Sequence, residues 1–248
     1  MQQFNIPKSW QEIKVYQYQD ILTFDTSGKG AFEKYIEYLS IITETETEEW
    51  EDMDLDEVLD IIKNIEWLKT APSSNFKTSI DSFQLIDLNQ LELGAYIDIE
   101  FFKKDLFKNF HILLAILYRK TKLNEWGETI IEPYEYDINK RSELFLDLSI
   151  NDVYGIINHY HTFYENFINN YSNLFNQEVP EEELDPIEEL SEEDKKEIAK
   201  EEERAKWAWE ILLNNLTDND ITKYDKVLKL NLIFVFNHLS FKKLFKIE

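Results

Sequence analysis

The chain has 248 residues, 43% of them apolar and 15% aromatic, with five glycines, five prolines, no cysteine and a formal net charge of −24. So few turn residues argue against a β-sandwich or barrel. The lack of cysteine excludes disulfides, thiolate metal sites and a cysteine nucleophile. The charge is concentrated: residues 43–60 hold ten acids and no base, and residues 178–204 hold fourteen acids against four bases, while residues 222–248 carry six lysines against two acids.

In chain order, Trp10 to Phe24 has helical apolar spacing, and Phe32, Tyr35, Ile36, Leu39 and Ile42 mark a second helix. Asp54, with Glu57 three residues on, reads as a capping box ahead of Val58, Ile61, Ile62, Ile65 and Leu68, and Pro72 is expected to close that helix. FKTSIDSFQLI (76–86) alternates around Asp81-Ser82 and predicts a β-hairpin. Helical spacing returns over 91–102 and 107–118. Residues 119–136 read as a long loop or a second small hairpin, and helices follow over 138–146 and 151–175, the latter with Ser149 and Asp152 as its start signal.

Residues 177–186, with two prolines, suggest a linker, and Ser191 with Asp194 suggests the cap of a charged helix. Thr222 with Asp225 repeats that signal ahead of Val227, Leu228, Leu232, Phe236 and Leu239. The expected fold is mainly α: a multi-helix body (1–176) with one or two small β-hairpins, an acidic linker or charged helix (177–205), and a C-terminal helix pair (206–248).

No pattern points to catalysis. Gly28-Lys29-Gly30 lacks the upstream glycine and the following Ser/Thr of a phosphate loop, and reads as a turn. His159 and His161 are two apart, on opposite sides of a helix, and cannot clamp one ion as an i, i+4 pair can. His111 and His238 are expected to be packing residues. The plentiful carboxylates lie in solvated runs. No enzyme activity, metal, nucleotide or other cofactor is expected. MQQFNIPKSW lacks the layout of a secretory leader, and the longest apolar run, 112–118, is far too short to span a membrane, so a cytoplasmic chain is expected. The acidity disfavours nucleic acid as a partner.

The candidate partner-binding residues are Trp207 and Trp209, where the acidic run turns apolar. On a helix, Trp207, Ile211 and Leu212 share one side and Trp209 faces another. The expectation is that Trp207 packs inside the helix pair and that Trp209 is exposed to anchor a partner; both packing inward is the alternative.

Three stretches, FNIPKSWQEIKVYQYQDI (4–21), LGAYIDIEFFKKDLFKNFHILLAILYRK (93–120) and WAWEILLNNLTDNDITKYDKVLKLNLIFVFNHLSF (207–241), resemble in this order uncharacterised morphogenesis proteins of Bacteroidetes-infecting, crAss-like phages, some of them similar to tail assembly chaperones. The resemblance implies contacts with other phage proteins of tail, neck or tape-measure type, possible homo-oligomers, and a place in the host cytoplasm during assembly or in the virion. It implies two assembly roles: a tail-assembly chaperone, or a structural virion component such as a neck or tail ring protein or packaged cargo. It assigns no residue a role. An acidic DNA mimic is a third reading, which charges gathered into two segments fit poorly.

Overall fold

Residues 112–117 are buried without interruption, because a helix apolar on every side can only be satisfied inside a core. The computed structural model, which describes residues 4–135, 138–175 and 207–246, is mainly α with one small antiparallel sheet. The chain divides into two compact units, Met1–Ile86 with Asp98–Phe163, and Asp87–Ile97 with Tyr164–Glu248. The helices are α1 (Val15–Thr23), α2 (Ala31–Thr43), α3 (Thr47–Glu51), α4 (Leu55–Asn64), α5 (Leu93–Phe102), α6 (Phe110–Leu117), α7 (Ile138–Ser142), α8 (Ile150–Val153), α9 (Ile156–Asn170), α10 (Ser172–Phe175), α11 (Ala208–Leu216), α12 (Tyr224–Leu228) and α13 (Leu232–Phe245). Among the described residues no helix is long and apolar enough to cross a membrane.

In the first unit, α2 buries Ile36, Leu39 and Ile42, three of the five residues whose spacing predicts it. Its last carbonyls need partners, since a helix end leaves them unpaired. The buried Gln17 side chain of α1 supplies them, donating to the Ile41 and Ile42 carbonyls (both 3.3 Å). Asp54 caps α4 by accepting from the Asp56 backbone N–H (3.0 Å). That helix stops at Asn64 and gives way to a 3-10 turn over Glu66–Lys69, so Pro72 lies beyond the end rather than making it.

Strands β1 (Ser79–Ile80), β2 (Phe83–Leu85), β3 (Tyr118–Leu123) and β4 (Thr129–Ile131) form the sheet in that order, every pair antiparallel. The expected hairpin at 76–86 is present as β1 and β2, and of the two readings for residues 119–136 the small hairpin is found, as β3 and β4. Ile80 faces Phe83 across the two-residue turn Asp81-Ser82, with Asp81 left-handed at φ 49°. Pairing of Leu85 with Tyr118 joins the two hairpins, with α5 and α6 intervening in sequence.

The helix expected over 151–175 is broken, because α8 ends at Val153 and α9 begins at Ile156. Gly155 sits in the gap against another part of the chain. A Cβ there would lie 2.0 Å from the Ser74 carbonyl oxygen.

The second unit gathers an aromatic cluster. Phe167 lies 4.8 Å from Phe236, 5.0 Å from Tyr171 and 5.3 Å from Tyr96, between ring centroids. The chain at 230–232 runs against 91–93: Leu93 donates to the Leu230 carbonyl (2.9 Å) and Leu232 to the Leu91 carbonyl (2.8 Å). This pairing interrupts the helix expected from Thr222 onward, so α12 and α13 are separate and Asn231 caps the second. Asp220, not Thr222, caps the turn before α12, its carboxylate accepting from the Thr222 N–H (3.1 Å). The acidic stretch 177–205, with its expected Ser191–Asp194 cap, lies outside the described residues.

Candidate interaction surface

The residues that came nearest to a chemical motif have structural employment. Gly28 is a turn residue at φ 74°, Lys29 pairs with Glu37 of α2, and the Gly30 N–H donates to Glu33 (2.6 Å) at the start of that helix. His159 lies against Phe76, the rings tilted at 38° with centroids 5.2 Å apart. His111 is half-buried, and the Gln19 amide N–H donates to its Nδ1 (3.1 Å). Desolvation holds this imidazole below its ordinary pKa. His238 is exposed, contrary to the expectation of a packing residue, because α13 turns Val235 and Phe236 inward instead. Among the described residues no three His, Asp or Glu side chains converge on a potential metal position.

Two further features invite a catalytic reading. Burial raises the pKa of the Asp98 carboxyl, the Tyr134 hydroxyl donates to it, and the Arg119 guanidinium lies 4.6 Å from the centre of the Tyr134 ring. With Tyr134 and Arg119 both buried, these groups tie α5, β3 and the segment after β4 together. An open cleft of about 440 Å³ is lined by Trp10, Tyr18, Leu22, Tyr35, Tyr38 and Lys69, among others. Its floor is committed, since the Trp10 indole donates to the Thr70 carbonyl (2.8 Å), and Lys69 is paired with Glu66 (2.7 Å) on the surface.

The tryptophans are placed the other way round from the expectation. Trp207 precedes the first turn of α11 and is 56% exposed, with Ile211 exposed one turn on. Trp209 is half-buried, edge-on to Tyr96 with centroids 5.8 Å apart. The inward stripe of the helix runs through Trp209, Leu213 and Leu216, at i, i+4 and i+7. A residue two places before Trp209 is rotated about 200° from it on an α-helical wheel and must face out. Trp207 and Ile211 do share a side, as expected, but that side is the outer one.

A second outward stripe was legible in the sequence and was missed. On α13, Phe234, Phe241 and Phe245 recur at i, i+7 and i+11 on the side opposite Val235, Phe236 and Leu239, and all three are exposed. Lys242 lies to one side of its C-terminal end, whereas Lys243, two residues from both Phe241 and Phe245, is on the far side of the helix and donates to the Asn173 carbonyl. On α4 of the first unit, Leu55 and Leu59 are exposed, with Asp56 and Asp60 towards one edge, while Val58 is the buried residue of that helix.

No protein-family model, curated protein or solved structure matches the chain.

Proposed function

We propose that this chain is a non-catalytic bacteriophage morphogenesis protein that works through protein–protein contacts, in the manner of a tail assembly chaperone. The exposed Trp207–Ile211 pair of α11 carries the reading. A tryptophan turned outward by its own helix exposes a large apolar area with few rotatable bonds, the residue type that dominates binding hot spots. The resemblance of the three stretches to phage morphogenesis proteins supplies the partner: an apolar segment of a tape-measure protein, covered until the tail polymerises around it. On this reading the protein acts in the host cytoplasm and needs no metal, nucleotide or other cofactor.

Affinity capture of the tagged chain from infected cells, followed by peptide identification, tests this directly. Recovery of a phage tail protein supports it, and recovery of the chain alone counts against it. A second reading, a structural component retained in the virion, is supported by the exposed Phe234, Phe241 and Phe245 of α13, which a neighbouring subunit would cover. Peptides of the chain in purified virions would decide for that role.

A further inference from the structure

The sheet of the first unit ends on a strand with bonding capacity left over. β4 is last in the strand order, and its three residues are all exposed. Its pairing with β3 fixes which backbone groups are used. The Glu132 N–H donates to the Lys120 carbonyl (2.8 Å) and the Asn124 N–H to the Glu128 carbonyl (2.9 Å), so residues 128, 130 and 132 turn their backbone groups to β3. Thr129 and Ile131 must turn theirs to the open edge, where among the described residues no hydrogen bond reaches them. The open stretch has two defined ends: the Gly127 N–H is spent on the Asn124 carbonyl (3.0 Å), and Pro133 has no N–H to offer. Backbone groups left free at strand spacing are complementary to another strand.

We propose that β4 receives an extended segment of a partner protein as a further antiparallel strand, with the pattern apolar–apolar–apolar–cation from its N- to its C-terminus. Thr129 and Ile131 can each exchange both N–H···O bonds with the residue opposite. Side-chain alternation sets the pattern. Glu128, Ile130 and Glu132 share one side of the sheet with Lys122, and Thr129 and Ile131 share the other with Leu123. An apolar residue opposite Ile130 covers it, and apolar residues opposite Thr129 and Ile131 extend the exposed surface of Leu123 and Ile131. Glu132 is already paired with Lys122 (3.5 Å), whereas Glu128 accepts from the neutral Asn124 amide (2.9 Å), which leaves its charge uncompensated. A cation opposite Glu128 meets that charge, and in an antiparallel strand it follows the apolar residues. The glutamates also reject a second copy of the chain. The self-pairing that sets Thr129 against Ile131 of the copy sets Glu128 against Glu132 as well, and like charges directly opposite are destabilising. A net charge of −24 on each copy adds to that repulsion. No residue of α11 takes part, so this contact can fail while the proposed function stands, and the reverse.

The test titrates the purified full chain into a capped, fluorescein-labelled peptide, Gly-Ser-Val-Ile-Val-Lys-Gly, and follows anisotropy at low salt, where an exposed charge contact is least screened. Saturable binding is expected, weakened about tenfold when glutamate replaces the lysine of the peptide. Glu128→Lys should reverse that preference. N-methylation of the two valines, whose N–H groups would meet β4, is expected to abolish binding, and N-methylation of the isoleucine, whose N–H faces away, to spare it. With the peptide at about ten times its Kd, amide hydrogen exchange at Thr129 and Ile131, read by NMR, should slow about tenfold by mass action. Ile131→Pro removes an outward N–H and no bond to β3, so it should lose binding while its circular dichroism stays that of the wild type. The inference is overturned by the absence of saturable binding, by equal binding of the lysine and glutamate peptides, or by binding that is the same whichever amides are methylated. It is equally overturned if light scattering shows a dimer of the chain that Ile131→Pro dissociates. Should Ile131→Pro lose structure, the methylated peptides decide, since they leave the protein unaltered.

Discussion

The indole of Trp209 meets the ring of Tyr96 edge to face, with centroids 5.8 Å apart and planes at 84°. This contact fixes the rotation of α11, since turning Trp209 and Leu213 inward leaves Trp207 and Ile211 outside. Trp209→Ala is therefore expected to destabilise the fold by about 2 kcal/mol, below the roughly 3–5 kcal/mol of a fully buried aromatic because Trp209 is half-buried. Trp207→Ala should stay within about 0.5 kcal/mol of the wild type, as an exposed substitution does. Urea denaturation of the two variants reads both effects, and equal losses would contradict the placement.

Gly155 leaves no room for a side chain. A methyl group would lie 2.0 Å from the Ser74 carbonyl oxygen and 2.8 Å from that of Asn75, and backbone atoms cannot swing aside as a flexible side chain can. Gly155→Ala is expected to cost about 3 kcal/mol, the upper end of the usual penalty for overpacking. A midpoint in urea equal to that of the wild type would show that the 74–75 segment yields.

Asn231 performs two tasks at the start of α13. Its Oδ1 accepts from the Phe234 N–H (3.0 Å), and its Nδ2 donates to the Asn89 carbonyl (2.7 Å). Asn231→Ala should lose about 1–2 kcal/mol through the missing cap and cross-link. Asn231→Asp keeps the cap acceptor and loses the donor, so it should fall between the wild type and the alanine variant. Thermal melts of the three proteins rank them.

His111 gives the fold a pH dependence near neutrality. Burial lowers its pKa from the ordinary value of 6.5. As the pH falls, the unfolded chain takes up this proton before the folded one does, so stability declines from near pH 6.5 downward until the folded pKa is passed. The neutral ring accepts from Gln19, and protonation would turn that acceptor into a donor facing a donor. Urea midpoints compared at about pH 7.5 and about pH 5.5 should show the loss in the wild type and a smaller one in His111→Gln, which cannot titrate there. Identical pH profiles would assign the dependence to other groups.

Signals carried by neighbouring residues were legible in the sequence. Alternation around Asp81-Ser82 marked the first hairpin, the spacing of Ile36, Leu39 and Ile42 marked α2, and Asp54 marked the start of α4. Breaks imposed from a distance were not. Gly155 interrupts a helical pattern because Ser74 presses on it, and α12 parts from α13 because 230–232 pairs with 91–93. The tryptophans failed for the same reason. Helical spacing placed them on different sides, but which side is inner depends on Tyr96, far upstream in the chain.

The measurement that most directly tests the proposed role compares tagged wild type and Trp207→Ala as bait in phage-infected cells, with captured peptides identified by mass spectrometry. The account predicts that a phage tail or tape-measure protein comes down with the wild type and is reduced at least about 30-fold with the variant, the equivalent of a 2 kcal/mol hot spot, while the two baits melt at the same temperature. Equal capture by both, or no phage protein with either, would contradict it.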